Sequence, residues 1–462
     1  MDKPLTKNIR PDRAFATLTD YESTGGYQGL RTAITQLQPK EVQQWVKDAG
    51  LRGRGGAGFG TGLKWSMVPM ETPQMRYMIA NADEMEPGTF KDRMLMEQDP
   101  HQLIEGLIIA AYAIQAPIAY IFLRGEYHVA KQRLEHALLE ARSKGYLGEH
   151  ILNSDFNVDI ILHTGAGRYI CGEETAMLNA LEGKRATPRA KPPFPLVSGL
   201  WGKPTVVNNV ETLCNVPHIL HYGVTWYQGL GRGVDKGSKL FGAGGRVNYP
   251  GLWELPLGIP IREIFENYAG GMRDGYKLRG FLPGGASTDF LLPEHLDVIM
   301  DYEAVAKAGS RLGTGMLVVL DDRTCPVKMV LNLEQFFAQE SCGWCTPCRD
   351  GLPWTVTLLK DIIAGKGRRE DLDTLSGLTR MLGPGNTFCA LAPGAMEPLQ
   401  SALKYFREDF ERYISPHPNP IMSGDPARHP SGKCKSVPDG FVPEGEGASG
   451  GSHFMSIHKE TV

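Results

Sequence analysis

The sequence predicts an α/β protein in three parts: a parallel-sheet α/β domain, then a small α+β module, then a C-terminal helical bundle. Three observations predict it. Short apolar strands alternate with helical periodicity between residues 76 and 181, glycine and proline punctuate brief β-like pieces between 237 and 325, and segments with helical spacing follow from 331 onward. A chain of 462 residues exceeds one ordinary core. The division expected is an N-terminal extension and helix over 1–50, the α/β domain over 51–236, the α+β module over 237–325, the helical part over 326–414, and a tail over 415–462 without a fixed fold.

The alternation comprises strands at 76–80, 118–123 and 158–163, with helices at 102–114, 129–144 and 173–181. Strand and helix in that order make a parallel sheet. Ahead of them, residues 32–50 carry helical spacing at Ile34, Leu37, Val42 and Val46 and stop at Gly50. The apolar run 103–123 has the length of a membrane span, but Glu105, Gln115 and Pro117 interrupt it, so helix, proline and strand are expected, with no membrane insertion. Residues 185–205, with Pro188, Pro192, Pro193, Pro195 and Pro204, read as ordered but irregular cover. β-like pieces at 239–241, 280–282 and 316–320 define the module, and helices at 331–339, 355–364, 369–381 and 395–414 define the bundle.

Composition excludes several classes of partner. With 49 basic against 52 acidic side chains, no global field draws the chain to nucleic acid or to an anionic bilayer. The first twenty residues mix both signs and lack an apolar core, so neither an export signal nor a transit peptide is expected. Eight cysteines are too few for a disulfide scaffold, and four of them fall between 342 and 389, which fits a reducing compartment and a metal site.

Those four are Cys342-Gly-Trp-Cys345-Thr-Pro-Cys348 and Cys389. Three thiolates on one C-x2-C-x2-C loop and a lone fourth favour a [4Fe–4S] cluster; zinc, which also accepts four sulfurs, is the alternative. Cys171, Cys214 and Cys325 read as buried small hydrophobes and Cys434 as an exposed thiol.

Between Gly53 and Gly62, six of ten residues are glycine. The run contains Gly53-x-Gly55-x-x-Gly58, formally a dinucleotide fingerprint, yet a helix and Leu51-Arg52 precede it where a strand is required. Lys64 is separated from Gly62 by Leu63, which excludes an ATPase-type phosphate loop. What remains is a set of backbone N–H groups able to face an anion or a flat ring, with Arg54 and Lys64 adding positive charge; a plain glycine-rich surface loop fits equally well. Asn81, Asp83, Glu84 and Glu86 follow the carboxyl end of one strand, and Tyr169, Glu173 and Glu174 follow another, the edge at which open α/β sheets bind ligands. Carboxylates and amides suit hydroxyls and ring N–H groups better than phosphates. Each of these residues also reads as a helix N-cap, with Glu173 and Glu174 in a first turn, and Asn208-Asn209 as a turn pair.

Long motifs join these residues: Leu51-Arg-Gly-Arg-Gly-Gly-Ala-Gly-Phe59, Asn81-Ala-Asp-Glu-Met-Glu-Pro-Gly-Thr-Phe-Lys-Asp-Arg93, Gly165-Ala-Gly-Arg-Tyr-Ile-Cys-Gly-Glu-Glu-Thr175 and Ser341-Cys-Gly-Trp-Cys-Thr-Pro-Cys-Arg349. Through them, over residues 20 to 415, the chain resembles the flavin-containing NADH-binding subunits of bacterial respiratory NADH:quinone oxidoreductase, complex I. The resemblance implies FMN surrounded by Gly53, Arg54, Gly55, Gly56, Lys64, Asn81, Asp83, Glu84, Tyr169, Gly172, Glu173, Asn208, Asn209 and Thr212, with Gly58, Gly62 and Gly165 also among the cofactor-binding glycines. It implies NADH contacts at Phe59, Lys64, Glu86, Glu174 and Phe194. Hydride transfer from NADH to FMN is implied, with Glu86 as the catalytic carboxylate, followed by single-electron transfer to the [4Fe–4S] cluster on Cys342, Cys345, Cys348 and Cys389. An aromatic stacked on adenine and Glu174 near the adenosine ribose imply preference for NADH over NADPH.

The same resemblance implies a ubiquitin-like (SLBB-type) fold for the α+β module and two partners, a thioredoxin-like [2Fe–2S] subunit and a large multi-cluster iron–sulfur subunit. It places the chain on the cytoplasmic side of the bacterial inner membrane, peripheral to it. The alternative is a diaphorase subunit of an NAD-linked hydrogenase or formate dehydrogenase, which often carries extra cluster domains whose cysteine sets are not found here. A zinc-stapled binding subunit is a further reading, disfavoured because Lys64, Asp83, Glu86 and the Gly172-Glu-Glu174 run are intact. One departure is Gly60, where relatives often have proline; a softer loop beside Phe59 with unchanged chemistry is expected.

Overall fold

A computed structural model describes residues 2–10, 12 and 14–414; the expectations for the tail and for Cys434 lie outside the described residues. Strands β1 (Tyr77–Ala82), β2 (Ile118–Leu123), β3 (Asp159–Thr164) and β4 (Thr205–Asn209) form a wholly parallel sheet in the order β3-β2-β1-β4. A parallel sheet needs cover on both faces, and the two-residue period of β1 supplies apolar groups to each. Met78, Ala80 and Ala82 enter the core under the N-terminal helices, whereas Tyr77 and Ile79 enter the core shared with the C-terminal bundle. The helix Pro100–Ile114 is buried on nearly every side and packs against the helix Val210–Tyr222. Together with β2 it accounts for the apolar run 103–123. Among the described residues no helix is long and apolar enough to cross a membrane.

A second, mixed sheet follows in the order β6-β5-β8-β7, from β5 (Ser238–Gly244), β6 (Gly251–Pro256), β7 (Leu278–Leu282) and β8 (Met316–Asp321). Its central pair β5 and β8 is parallel and both outer pairs are antiparallel, which fits a ubiquitin-like module. The bundle comprises helices Pro326–Glu340, Thr346–Ile363, Arg369–Met381, Leu391–Tyr405 and Arg407–Ile414.

The structure corrects several expected boundaries. Residues 32–50 are not one helix but Gln28–Gln36 and Pro39–Asp48. Pro39 biases Gln38 toward extended backbone, and Gln38 then forms a capping box with Glu41. Asn208-Asn209 is not a turn: it ends β4, and the Asn209 side chain accepts a hydrogen bond from Thr212 N at 3.3 Å to cap the next helix. That helix, Val210–Tyr222, is not legible in the sequence because Pro217 lies inside it. Residues 395–414 divide at Phe406 into two helices, and the helix expected from 355 begins nine residues earlier, at Thr346.

Gly60 adopts φ −63° and ψ 119° at the head of the helix Thr61–Ser66. This is the φ that proline fixes. Gly60→Pro is therefore expected to stabilise the chain by about 0.4–1 kcal/mol through the unfolded state, checked as a higher urea midpoint with an unchanged slope.

Candidate functional site

At the carboxyl edge of the parallel sheet, where β1 pairs on one side with β2 and on the other with β4, lies a cavity of about 370 Å³. This is the switch point of the sheet, at which the loops diverge and leave a crevice. The end of β1 contributes Asn81, the residues just after it contribute Asp83 and Glu84, and the end of β4 contributes Asn209. Gly55 and Gly56, then Glu86, Lys91 and Asp92, then Tyr169, Gly172 and Glu173 complete one side. Ser287, Arg311 and Thr314 come from the module with the second sheet, and Cys389 comes from the bundle.

The glycine loop closes on itself: Gly53 N donates to Phe59 O at 2.8 Å, and Thr61 N donates to Leu51 O at 2.8 Å. Gly56 has φ +123°, and the place of its missing Cβ is open as far as Gly313, 3.9 Å away. A glycine is needed there for the backbone conformation, and it leaves the peptide face free for a ligand. Gly58, Gly62 and Gly165 are glycines for packing instead, because a Cβ would meet the Tyr302 ring at 2.4 Å, Lys47 N at 2.2 Å and the Phe122 ring at 2.9 Å. Arg54 does not line the cavity. It is wholly buried behind the loop, where its guanidinium donates to Tyr227 Oη (3.0 Å), Lys236 O (3.1 Å) and Ser238 O (3.1 Å), while its N–H donates to Thr212 Oγ1 at 2.8 Å.

The carboxylates differ in how they are satisfied. Glu84 accepts from Asp92 N (2.8 Å), Arg93 N (3.0 Å) and Tyr127 Oη (3.0 Å), and burial with the neighbouring Asp92 raises it to about 7 against the pull of Lys91. Glu86 accepts from Ser287 N (2.6 Å), Ser287 Oγ (2.7 Å) and Tyr169 Oη (2.7 Å). Asp83 has no hydrogen-bond partner on either buried oxygen among the described residues, and burial pushes it up to about 8 despite Arg124. A buried polar group without a partner calls for an explanation. Lining a cavity, these two oxygens suit a ligand that brings hydroxyl groups, which both donate and accept, as a ribityl chain does.

Lys64, Glu174, Phe59 and Phe194 do not line this cavity. Lys64 Nζ donates to Glu174 at 3.0 Å and to Val207 O at 2.9 Å, and Lys191 Nζ lies 3.0 Å from Glu174 and 3.3 Å from Glu173. Burial alone would raise Glu174, but the two lysines outweigh it and hold the carboxyl below its usual range. Phe59 and Phe194 are about half exposed. Glu173 meets both expectations, lining the cavity and capping the helix Glu174–Leu181 through Thr175 N and Ala176 N, each at 2.9 Å. Asn208 accepts from Trp65 Nε1 at 2.8 Å, on the helix that follows the glycine loop. The reading from sequence missed Ser287 and Arg311, which no local motif marks, and left Lys91 and Asp92 unassigned inside a recognised motif.

The cysteines stand at two helix starts. Cys345 is the N-cap of the helix Thr346–Ile363 with Cys348 in its first turn, rather than on the loop as expected, and Cys389 precedes the helix Leu391–Tyr405. Both helix dipoles thus bring partial positive charge to a thiolate site. Ser341 Oγ lies 3.1 Å from Cys348 Sγ, and Arg185 donates to Cys342 O at 2.9 Å. Burial pushes Cys348 up to about 11 and Cys389 to about 12, and Cys342 acts electrostatically on both. Among the described residues no three His, Cys, Asp or Glu side chains close on a point that would hold a single metal ion. Cys171 and Cys214 are buried, while Cys325 is partly exposed, 3.4 Å from Tyr413 Oη.

Two family models match the chain: the Nuo51 FMN-binding domain over residues 46–218, and the iron–sulfur binding region of the NADH-ubiquinone oxidoreductase-F family over 328–413. The second match resolves the metal in favour of iron. Fold and site thus define a flavin- and iron–sulfur-binding protein. The chain is 59% identical to the F subunit of NADH-quinone oxidoreductase from Salmonella typhimurium, and also to that from Escherichia coli, over 89% of its length and 93% of theirs. It is 48% identical to the F subunit of Streptomyces coelicolor over 89% of this chain and 90% of that one. The chain belongs to the family of NADH-quinone oxidoreductase F subunits. A solved NAD+-reducing [NiFe]-hydrogenase in the H2-reduced state aligns with TM-score 0.78 and 37% identity, over 87% of this chain and 67% of that one.

The unpartnered Asp83 has a consequence for stability. With a folded value of about 8 against 3.8 when free, it favours the folded state fully below pH 3.8, and this contribution is lost as pH rises toward 8. Asp83→Asn is expected to stabilise the cofactor-free chain at pH 8 by about 1–3 kcal/mol and to have little effect at pH 4. Melting of both proteins at the two pH values checks this.

Proposed function

We propose that the cavity binds FMN and receives NADH, and that electrons leave it through a [4Fe–4S] cluster held by Cys342, Cys345, Cys348 and Cys389. The observation that carries the reading is Cys389, which lines the same cavity as the glycine loop and the carboxylates. When bound there, FMN would supply the chemistry that couples a two-electron hydride donor to a one-electron cluster. Asp83 and Asn81 offer acceptors and an amide to hydroxyls, and the Gly55-Gly56 backbone offers N–H groups and a free face. Glu86 is held by three donors at the cavity wall, a fixed acceptor for aligning the nicotinamide. Half-exposed Phe59 and Phe194 supply stacking surfaces for adenine. Glu174 would repel the additional phosphate of NADPH, and Lys64 keeps it ionised. The four thiols must lose protons as the cluster assembles.

The module boundaries near 237 and 325 are part of the same proposal. As one component of a larger assembly, the chain hands electrons to a thioredoxin-like [2Fe–2S] subunit and a large multi-cluster iron–sulfur subunit, peripherally on the cytoplasmic face of the inner membrane. The hydrogenase match supports a diaphorase reading, but the higher identity to the quinone oxidoreductase proteins favours the respiratory one.

Anaerobic purification is expected to give about four irons and one FMN per chain, with an artificial acceptor reduced from NADH far faster than from NADPH. Zinc without FMN would overturn the proposal. Cys389→Ser is expected to abolish or strongly alter the cluster's EPR signal while FMN is retained; an unchanged signal would require another fourth ligand.

A further inference from the structure

The loop that fastens Glu86 belongs to a different part of the chain. Ser287, from the module with the second sheet, gives Glu86 two of its three hydrogen bonds. The neighbouring Gly285 lies so close that a Cβ there would meet Glu86 Cγ at 2.8 Å, and Ala286 N donates to Pro87 O at 3.1 Å. Arg311, from the same module, donates through Nη2 to Ser287 O at 2.5 Å and through Nε to Glu397 at 2.8 Å. Glu397 is on the helix Leu391–Tyr405, which starts two residues after Cys389. Gly394 of that helix presses on both residues, since a Cβ there would meet Ser287 Cβ at 3.0 Å and Arg311 Nη2 at 3.4 Å.

From this chain of contacts we infer that Ser287 and Arg311 are positioning residues for Glu86, joining the carboxylate at the nucleotide side of the cavity to the helix that follows the cluster ligand Cys389. The inference rests on the assignment of the cavity to FMN and NADH. A guanidinium can donate in two directions from one rigid plane, which is what spanning Ser287 and Glu397 requires, and a lysine in its place keeps the charge but loses the fork. Ser287, in turn, reaches Glu86 through both its backbone N–H and its hydroxyl, so displacement of the loop moves both bonds together. A carboxylate that must align a substrate is sensitive to such displacement, because a 1 Å misplacement can cost about 100-fold.

The test is a double-mutant cycle in the full chain loaded with FMN and cluster, using Arg311→Lys, Ser287→Ala and Glu86→Gln singly and each of the first two combined with the third. FMN and iron content, the NAD+ dissociation constant from flavin absorbance, and kcat and KM with NADH and ferricyanide are measured. Arg311→Lys is expected to keep both cofactors, to weaken NAD+ binding and lower kcat/KM about tenfold, and to add less than about twofold in the Glu86→Gln background. Equal losses in both backgrounds, or none in the wild type, overturn the positioning role and leave the cavity assignment intact. Glu86→Gln without effect on NAD+ binding or turnover overturns the role of Glu86 and the positioning role with it. If Arg311→Lys loses its flavin, the Ser287→Ala cycle decides by the same criterion.

Discussion

Glu211 is the group on which the geometry of the cavity depends. It is wholly buried, accepts from Lys239 Nζ (3.1 Å) and Leu240 N (2.8 Å), and forms an ion pair with Lys91 Nζ at 2.9 Å. Burial alone would raise its carboxyl, but Lys239, Lys91 and Arg54 together hold it at about 2. Each partner comes from a different wall: Arg54 from the glycine loop, Lys91 from the helix after β1, and Lys239 from β5 of the second sheet. Lys239 is itself pushed down to about 8, because burial and the adjacent Lys91 and Arg54 outweigh its attraction to Glu211. Removing one member of such a cluster leaves an uncompensated buried charge, which costs about 3–5 kcal/mol. The cluster therefore serves to fix four pieces of chain against one another, whatever its net contribution to stability.

That rigid back wall explains why the front can be left unsatisfied. Asp92 is paired to Lys91 at 2.7 Å and accepts from Asn209 at 2.6 Å, so the cation and amide nearest the strand ends are already committed. Asp83 is left with two buried oxygens and no partner among the described residues. The ion pairs of Lys91 and Lys239 with Glu211 stand behind it. Local rules of polar satisfaction are broken where a ligand is to supply what is missing.

The legible and illegible parts of the molecule separate by sequence distance. β1, β2 and the helix Pro100–Ile114 are readable because their periodicity is carried by adjacent residues. The cysteines are readable because three of them lie within seven positions. Boundaries fail where a proline has two possible meanings: Pro39 starts a helix that reads as continuous with the one before it, and Pro217 lies inside one that does not read as a helix at all. Arg54 reads as a loop charge because its neighbours are glycines, yet its side chain is buried against residues 227 to 238. Glu86 and Ser287 are 201 positions apart, and no local pattern on either side announces the pair.

The placement of Cys389 joins these features. The other three cysteines come from one segment at a helix start, and a fourth could have come from any neighbouring surface of the bundle. It lies instead in the cavity wall, just before a helix whose Glu397 is tied through Arg311 to the loop around Glu86. On the proposed assignment, the cluster and the flavin site then share a wall at Cys389. The small mixed-sheet module gains a purpose from the same arrangement. It inserts Ser287 and Arg311 between Glu86 and Glu397, and its β5 lysine joins the ion cluster behind them. Through these side chains the module links the loop around Glu86 to the helix that follows Cys389.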